Sequence, residues 1–147
     1  MNIRPLQEKD IDEWIKLIQQ LSPKANLGTK TARSTLVDLT LLSHKSIFVV
    51  ENDGKIIGTV SVLYEDKVNR GTVPNLHRFY CVAHIEEFVV DINYRGQNIG
   101  LQLMKFCVEE ARKNDAYKII LDCSESNIGF YEKCGFIRHE VCMRMDI

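Results

Sequence analysis

Apolar residues recur along the chain with two different spacings, and each spacing predicts a different kind of element. From Asp10 to Leu21 they return every three or four residues and so fall on one face of a helix. The dipeptide Ser22-Pro23 ends that helix, because a residue that precedes proline disfavours the helical conformation. The same spacing predicts a second helix over Ala32–Ser43 and a third over Leu101–Asn114.

Alternating or continuous apolar runs predict the strands. Pro5 confines a short strand, Asn2–Leu6, to the edge of a sheet, because proline cannot donate within a central strand. Ser46–Glu51 and Lys55–Tyr64 are predicted to form a hairpin around the turn Asn52-Asp53-Gly54. The three later strands are predicted at His77–Asp91, Tyr117–Cys123 and Arg138–Asp146.

The connecting segments complete the order of elements. Glu65–Leu76 is predicted to be an extended loop or the flared tip of a hairpin. A fourth helix is predicted over Glu125–Cys134, between Ser124 as a cap and Gly135 as a left-handed end. The order is therefore β-α-α-β-β-β-α-β-α-β. It predicts an α/β (α+β) fold, in which a mixed central sheet of six or seven strands carries helices on both faces. The length suits a single domain over residues 1–147.

Composition narrows the partners and the compartment. The formal net charge of −1 gives no electrostatic reason to expect nucleic acid or an anionic membrane as the main partner. No apolar run approaches the length that crosses a bilayer, and no signal-peptide segment follows the first residues. Five cysteines, an odd number without paired spacings, indicate reduced thiols. We therefore expect a soluble, cytoplasmic protein.

The segment Asp91–Gly100 joins an apolar run to the third helix through a short basic turn that contains glycine. A strand that enters a helix in this way directs free backbone N–H groups and the positive helix end at one point. Arg95 adds a forked cation, so the turn predicts a pyrophosphate site. Glycines are also common at such turns for backbone reasons alone. The turn has neither a Walker A sequence nor the glycine spacing of a dinucleotide fold.

The same turn resembles the Arg/Gln-x-x-Gly-x-Gly/Ala segment of the GNAT acetyltransferases, which binds the pyrophosphate of acetyl-coenzyme A. Asn98 stands where that pattern has its first glycine, and asparagine accepts unusual dihedrals better than most residues. From Ala83 to Phe136 the chain resembles one branch of this family, the eukaryotic-type glucosamine 6-phosphate N-acetyltransferases. Three pieces carry that resemblance in order: His84–Val90, Tyr94–Gly100 and Tyr117–Phe136.

The resemblance implies that acetyl-coenzyme A is the co-substrate. In the family, the strand that contains the equivalents of Phe88, Val89 and Val90 pairs with the pantetheine arm of the cofactor. A bulge or splay in such a strand can also leave an N–H free for the oxyanion that develops during acetyl transfer. The other residues implied to bind the cofactor are Arg95, Gly96, Gln97, Asn98, Ile99, Gly100, Leu101, Asn127, Phe130, Tyr131 and Lys133.

Two side chains are candidates for the chemistry. Tyr131 follows Asn127 by four residues, so both lie on one helical face, and the resemblance implies that Tyr131 protonates the leaving thiolate. Outside this motif, such a tyrosine would suit a half-buried core position. Asp122 ends an apolar strand, where strand ends open into a cleft. The resemblance implies that it contacts the amino group, and an acid at this position can equally cap the following helix.

The resemblance further implies which residues surround the acceptor. They are Ser22, His77, Arg78, Glu86, Glu87, Tyr117, Lys118 and Asp122. Strand alternation places Glu86 and Glu87 on opposite faces, so that one of them faces the sugar. The chain departs from the family where Glu87 replaces an aspartate, where the loop Glu65–Leu76 is longer, and where Asp146 stands near the family's last basic residue. A homodimer is implied, with the final strand or the His77–Arg78 loop at the interface.

Metal and covalent chemistry have less support. His77, Cys81 and His84 do not suggest a zinc site, because alternation puts Cys81 and His84 on opposite faces and no Cys-x-x-Cys pair exists. Cys123 and Cys134 flank the fourth helix without an adjacent histidine, which disfavours a covalent acetyl-cysteine. We therefore expect no metal and no acetyl-enzyme.

Together these patterns predict an N-acetyltransferase that moves the acetyl group of acetyl-coenzyme A to the amine of glucosamine 6-phosphate by direct attack in a ternary complex. A first alternative is the same chemistry on another small amine or on a protein amine, because the Glu65–Leu76 loop and the C-terminal segment depart from the family. A second alternative, from another class, is a coenzyme A-binding sensor without turnover. The presence of Asp122 and Tyr131 disfavours it.

Overall fold

The computed structural model describes residues 1–23, 34, 38 and 44–147. The strands in these ranges are β1 (Asn2–Pro5), β2 (Lys45–Asn52), β3 (Lys55–Asp66), β4 (Cys81–Val90) and β5 (Ala116–Ile120). The α-helices are α1 (Ile11–Leu21), α2 (Ile99–Lys113) and α3 (Ile128–Lys133). Along the described chain the order is therefore β-α-β-β-β-α-β-α.

One mixed sheet organises the described chain. Its strands lie in the order β1-β2-β3-β4-β5, and neighbours are antiparallel except for β4 and β5, which run parallel. Parallel neighbours need a long crossover, and α2 provides it. The prediction of a mixed sheet with helices is confirmed. The predicted number of six or seven strands is wrong, because the residues that the structure describes form five.

The segment Arg138–Asp146 accounts for the difference in strand number. It was predicted to be a strand, but within the described chain it has no strand partner. Its side chains Val141, Met143 and Met145 are 82%, 87% and 86% exposed. The alternation of apolar and polar residues is typical of a strand, yet alternation produces one only where a sheet edge supplies hydrogen bonds and a surface to cover.

Three predicted elements differ from the observed ones at their ends. β4 begins at Cys81 rather than at His77, so residues 77–80 belong to the preceding loop. β5 ends at Ile120 rather than at Cys123. The last predicted helix begins as a 3-10 turn, Glu125–Asn127, and continues as α3. Each difference shortens a regular element next to the region where the candidate site residues lie.

Four of the other predicted elements agree with the structure. β1, α1, the β2–β3 hairpin and α2 are confirmed, with ends shifted by at most two residues. Gly135 adopts a left-handed φ of +94° after α3, as predicted. The prediction that Ser124 caps the helix is wrong, because Ser124 occupies the N-cap position of the 3-10 turn but makes no side-chain cap bond. The second helix predicted over Ala32–Ser43 lies outside the described residues, apart from Ser34 and Asp38.

Each face of the sheet has its own apolar core. The cluster beneath α1 contains Leu6, Ile11, Trp14, Leu17, Ile18, Ile47, Val49, Ile56 and Val89. The cluster beneath α2 contains Phe48, Val50, Ile57, Val60, Val62, Ala83, Ile85, Ile99, Leu103, Met104, Cys107 and Ala111. Successive residues of a strand point to opposite faces of the sheet and so pack into different clusters. The sheet is therefore held between the two helices. Full burial of one such side chain stabilises the fold by roughly 1.5–3 kcal/mol.

A buried hydroxyl joins α1 to the centre of the sheet. Thr59 is fully buried, and its Oγ1 accepts a hydrogen bond from the Trp14 indole nitrogen at 2.9 Å. The same hydroxyl donates to the Phe48 carbonyl at 2.8 Å. A buried indole N–H needs an acceptor, because leaving it unpaired costs its desolvation free energy. The hydroxyl therefore connects α1 to both β2 and β3.

Replacing Thr59 by valine tests that contact. Thr59→Val keeps the shape of the side chain but leaves the Trp14 N–H without an acceptor, so we expect the free energy of unfolding to fall by about 2–3 kcal/mol. Thr59→Ser is the matched control, since it keeps the hydroxyl and loses one methyl, for about 1 kcal/mol. Urea unfolding followed by tryptophan fluorescence measures both. A valine variant as stable as the serine variant would show that the hydrogen bond contributes nothing.

Candidate active site

The separation of β4 from β5 opens the candidate site. Their parallel pairing begins at Cys81 and ends where His84 lies opposite Ile120. β4 then continues to Val90, while β5 stops. Beyond His84, the β5 side of β4 therefore has no strand partner among the described residues. An open strand edge of this kind can pair with an extended ligand.

A bulge interrupts β4 within this open part. Thr59 lies opposite Val89 and Ser61 lies opposite Glu86, so Glu87 and Phe88 together face the single residue Val60. Glu87 has a left-handed φ of +49°, which is uncommon for a residue with a side chain. A bulged residue leaves the regular ladder and frees backbone groups. The bulge thus lies in the strand for which the sequence predicts a free N–H donor.

The bulge corrects the prediction for Glu86 and Glu87. Alternation was expected to place them on opposite faces, but both carboxylates approach the same cation. Lys45 Nζ lies 3.8 Å from Glu86 Oε2 and 3.3 Å from Glu87 Oε2. The Ser61 hydroxyl also donates a hydrogen bond to Glu87 Oε2. The left-handed residue breaks the alternation of period two, which is why the sequence pattern gave the wrong face.

One buried carboxylate holds the turn between β4 and α2. Asp91 accepts hydrogen bonds from Asn93 N at 2.9 Å, from Asn93 Nδ2 at 3.1 Å and from Gln20 Nε2 at 3.3 Å. Burial acts to raise the pKa of Asp91, but these hydrogen bonds and the charge of Lys55 lower it overall. Gln20 Oε1 also accepts from the Ile92 N–H at 3.0 Å. The last turn of α1 therefore fixes where the β4–α2 turn lies.

Residues 95–101, which we call the amide corner, present unpaired donors. Gly96 and Asn98 have left-handed φ values of +78° and +60°, so asparagine does accept the conformation expected at position 98. The N–H groups of residues 96–101 have no acceptor within the described chain. Arg95 Nε donates to the Val90 carbonyl at 3.1 Å, which fixes its guanidinium beside the corner. Converging N–H groups and a helix N-terminus favour an anion.

A cleft of about 500 Å³ lies between β4, the amide corner and α3. It is lined by Gln20, Leu21, Phe88, Val89, Val90, Tyr94, Arg95, Gly96, Asn98, Ile99, Gly100, Leu101, Asn127, Phe130, Tyr131 and Lys133. All the predicted cofactor residues except Gln97 are in this lining. In the fold, three segments that are separate in the sequence, 88–90, 95–101 and 127–133, therefore form one continuous surface.

Three lining residues were missed. Tyr94 lies inside the quoted motif, and Leu21 immediately precedes Ser22, so both had a signal in the sequence. Gln20 had none, because its role depends on how the end of α1 packs against the turn that contains Asp91.

Tyr131 belongs to an aromatic cluster at the wall of the cleft. Its ring centroid lies 5.0 Å from that of Phe130, 5.9 Å from Phe136 and 6.2 Å from Phe88. Burial raises the pKa of Tyr131 to about 12. The phenol therefore stays protonated at neutral pH and is available as a proton donor. A Cβ at Gly100 would lie 3.1 Å from the Phe130 ring, so glycine there lets α2 and α3 approach.

Asp122 lies two residues beyond the end of β5 and is 69% exposed. Among the described residues its carboxylate makes no hydrogen bond to the backbone of the following turn, so the alternative role as a helix cap finds no support. Asp122 Oδ2 lies 3.9 Å from His84 Nε2. It does not line the cleft, but it directly follows the edge strand β5, which borders the gap beside β4.

The structure does not bring the other predicted acceptor residues to the cleft. Arg78 forms an ion pair with Asp115. Tyr117 lies near the start of β5, at the opposite end of that strand from Asp122, and its ring contacts Arg70 at 4.6 Å and Lys118 Nζ at 5.8 Å.

Two more of the residues predicted to surround the acceptor, His77 and Ser22, lie outside the regular elements. His77 is exposed in the loop before β4. Ser22 caps the C-terminal end of α1 beside the cleft residue Leu21, through its N–H to the Ile18 carbonyl at 2.9 Å.

No group of three or more His, Cys, Asp or Glu side chains within the described chain is arranged to hold a metal ion. None of the helices described has the length and apolar character that a membrane span requires.

Comparison with known sequences adds independent observations. The profile of the acetyltransferase (GNAT) family matches residues 11–136. The glucosamine 6-phosphate N-acetyltransferase of Trypanosoma brucei brucei is 32% identical over 155 residues, which cover 100% of this chain and 96% of that protein. The glucosamine 6-phosphate N-acetyltransferase 1 of Oryza sativa subsp. japonica is 34% identical over 145 residues, which cover 96% of this chain and 84% of that protein.

Comparison with solved structures agrees with the sequence comparison. The crystal structure of glucosamine-6-phosphate N-acetyltransferase from Arabidopsis thaliana superposes with a TM-score of 0.85 at 31% identity. The match covers 99% of this chain and 97% of that one. The similarity therefore includes the first half of the chain, where the sequence motifs are few.

Proposed function

This chain belongs to the GNAT family of acetyltransferases, and from that premise we propose that it transfers the acetyl group of acetyl-coenzyme A to the amine of glucosamine 6-phosphate. The observation that carries the proposal is the coincidence of two facts. Relatives with this activity match nearly the whole chain, and the lining of the cleft joins the amide corner to Tyr131.

The cleft suits the cofactor in two parts. The free N–H groups of residues 96–101 and the Arg95 guanidinium would bind the diphosphate. The unpaired edge of β4 would bind the pantetheine arm as an added strand, with the Asn127 side chain on the opposite wall. Acetyl-coenzyme A supplies an activated thioester, and the protein residues position it and control the protons.

The geometry supports direct transfer without an acetyl-enzyme. An N–H freed by the bulge at Glu87 and Phe88 would stabilise the developing oxyanion. The protonated Tyr131 phenol would give its proton to the departing sulfur. Asp122, beside the gap between β4 and β5, would hold the amine of the acceptor. Cys134 does not suit nucleophilic attack, because burial raises its pKa.

A different acceptor amine is the second candidate. The observation that favours it is the position of Tyr117, Lys118 and Arg78, which lie away from Asp122 in this chain. The sensor alternative has no such observation in its favour, since Tyr131 lines the same cleft as the amide corner.

We further propose a homodimer, which the exposed surface of the C-terminal segment supports. β5 is the edge strand of the described sheet, and Ile120 on it is 36% exposed. The apolar side chains Val141, Met143 and Met145 lie largely in solvent. A second copy of the chain would cover both, and it could also bring the His77–Arg78 loop to the site of its partner.

The thiols support a cytoplasmic location as part of the same proposal. All five cysteines are free, and Cys123 and Cys142 are exposed. Exposed free thiols persist in a reducing compartment and oxidise outside it.

Acceptor specificity tests the proposed function. We expect kcat/KM for glucosamine 6-phosphate to exceed that for glucosamine by about 100-fold, because charge-assisted hydrogen bonds to a phosphate contribute about 1.5–3 kcal/mol each. Release of free thiol from acetyl-coenzyme A measures the rate, with spermidine and a lysine peptide in the same panel. Equal rates across the panel would contradict the aminosugar assignment and favour the second candidate.

Arg95→Gln tests the diphosphate site. Loss of a charged donor should lower kcat/KM for acetyl-coenzyme A about tenfold or more. The same variant should use acetyl-pantetheine, which lacks the diphosphate, as well as the wild type does. Arg112→Gln is the matched control, because Arg112 pairs with Glu109 at the far end of α2. An equal loss with both thioesters would mean that Arg95 acts through the fold and not through the diphosphate.

Tyr131→Phe tests the proton donor. We expect kcat to fall about 100-fold while KM for acetyl-coenzyme A stays nearly constant. Because the pKa of Tyr131 is raised to about 12 and its protonated form is the active one, the wild type should lose no activity between pH 7 and pH 10. Tyr80→Phe, outside the cleft, is the control. An unchanged kcat in Tyr131→Phe would remove the phenol from the mechanism.

Light scattering tests the dimer. We expect twice the chain mass for the full protein and a single chain mass after removal of residues 138–147, since that segment carries the exposed apolar side chains. A monomer at micromolar concentration of the full chain would contradict the proposal.

A further inference from the structure

We propose that His84 is the base in this reaction, and that the acceptor amine binds between His84 Nε2 and the Asp122 carboxylate. This inference rests on the proposed function, because it needs an amine that arrives as an ammonium ion and must lose a proton before it attacks. Its starting point is a row of four side chains: Glu65 on β3 and Lys67 just after that strand, His84 on β4, and Asp122 two residues after β5.

The row has a definite geometry. Lys67 Nζ lies 2.8 Å from Glu65 Oε2, and Glu65 Oε1 lies 3.4 Å from His84 Nδ1. On the other side of the ring, His84 Nε2 lies 3.9 Å from Asp122 Oδ2. His84 is also the last residue of β4 that pairs with β5. The imidazole therefore lies at the point where the two strands begin to separate.

The contacts around Glu65 select one tautomer of the imidazole. Lys67 is the main cause that lowers the pKa of Glu65, so this carboxylate stays ionised and acts only as an acceptor. An acceptor beside Nδ1 favours a proton on Nδ1. Nε2 is then left with a free lone pair, and it faces Asp122.

The space between Nε2 and Asp122 suits a donor. The two atoms are 3.9 Å apart, too far for a hydrogen bond between them. An ammonium nitrogen at about 2.9 Å from each could donate to both at once. The side chain of His84 is 23% exposed and that of Asp122 is 69% exposed, so a ligand can reach this space from solvent.

The ring that would take up the proton lies among negatively charged side chains. An imidazolium at His84 would lie between two carboxylates, Glu65 and Asp122. Glu86, the next side chain on the same face of β4, carries a third negative charge and approaches Lys45. As a class of side chain, imidazole is the commonest general base in enzymes.

The protons balance in the following way. One N–H bond of the ammonium breaks, and an Nε2–H bond forms on His84. The neutral amine attacks the thioester carbon, a C–N bond forms and the C–S bond breaks, while Tyr131 gives its proton to sulfur. The second proton on the new amide nitrogen restores the Tyr131 phenol. The His84 proton then passes to solvent, and the net products are the amide, the free thiol and one proton.

His84→Ala with added imidazole tests the proposal. We expect kcat with acetyl-coenzyme A and glucosamine 6-phosphate to fall about 100-fold. Imidazole in the buffer should restore it at least tenfold, in proportion to the concentration of its neutral form. His44→Ala is the matched control, because His44 is an exposed histidine that precedes β2 and does not line the cleft. Its activity should be unchanged with and without imidazole.

A second variant, His84→Gln, keeps the proposal testable if His84→Ala does not fold. His84→Gln fills the same space but cannot take a proton, so its rate should keep rising with pH after that of the wild type has levelled off. A wild-type level of kcat in either variant, or a loss that imidazole does not reverse in a folded His84→Ala protein, would overturn the proposal. If the wild type itself releases no thiol with any amine, the proposed function fails, which is a distinct result.

Discussion

The site depends on the point at which β4 stops pairing with β5. Up to His84 the two strands share a parallel ladder, and beyond it the edge of β4 is open. If β4 and β5 paired beyond His84, the backbone groups that we propose for the pantetheine arm would already be hydrogen-bonded to β5. The bulge at Glu87 and Phe88 then adds a local break on the β3 side of the same strand. A strand released on both sides can hold a ligand and present an N–H to it.

The rest of the fold keeps this strand in place. α1 and α2 cover opposite faces of the sheet, and the hydrogen bonds of Gln20 and Asp91 connect the end of α1 to the turn that begins α2. The amide corner therefore has a fixed position relative to the open edge, although its own N–H groups have no protein partner in the described chain. The bulge is also held by charge, because Lys45 lies close to the carboxylates of both Glu86 and Glu87.

The elements that could be predicted from the sequence are those whose structure is determined by residues close together in the chain. The apolar spacing of α1 and the glycine-containing turn before α2 need only neighbouring residues, and the structure agrees with both. Three features depend on distant partners and were missed or wrong. Glu87 becomes left-handed at a bulge that no pattern of alternation signals, and Gln20 acquires its role only through packing. The segment Arg138–Asp146, predicted to be a strand, pairs with no strand of the described chain.

Amide hydrogen exchange at residues 96–101 tests most directly whether the amide corner is a diphosphate site. The N–H groups there have no acceptor in the described chain, so they should exchange rapidly in the free protein. Saturation with coenzyme A should slow them at least tenfold, while addition of pantetheine, which lacks the diphosphate, should leave them unchanged. Exchange that is already slow in the free protein, or that stays fast when coenzyme A is bound, would contradict this account.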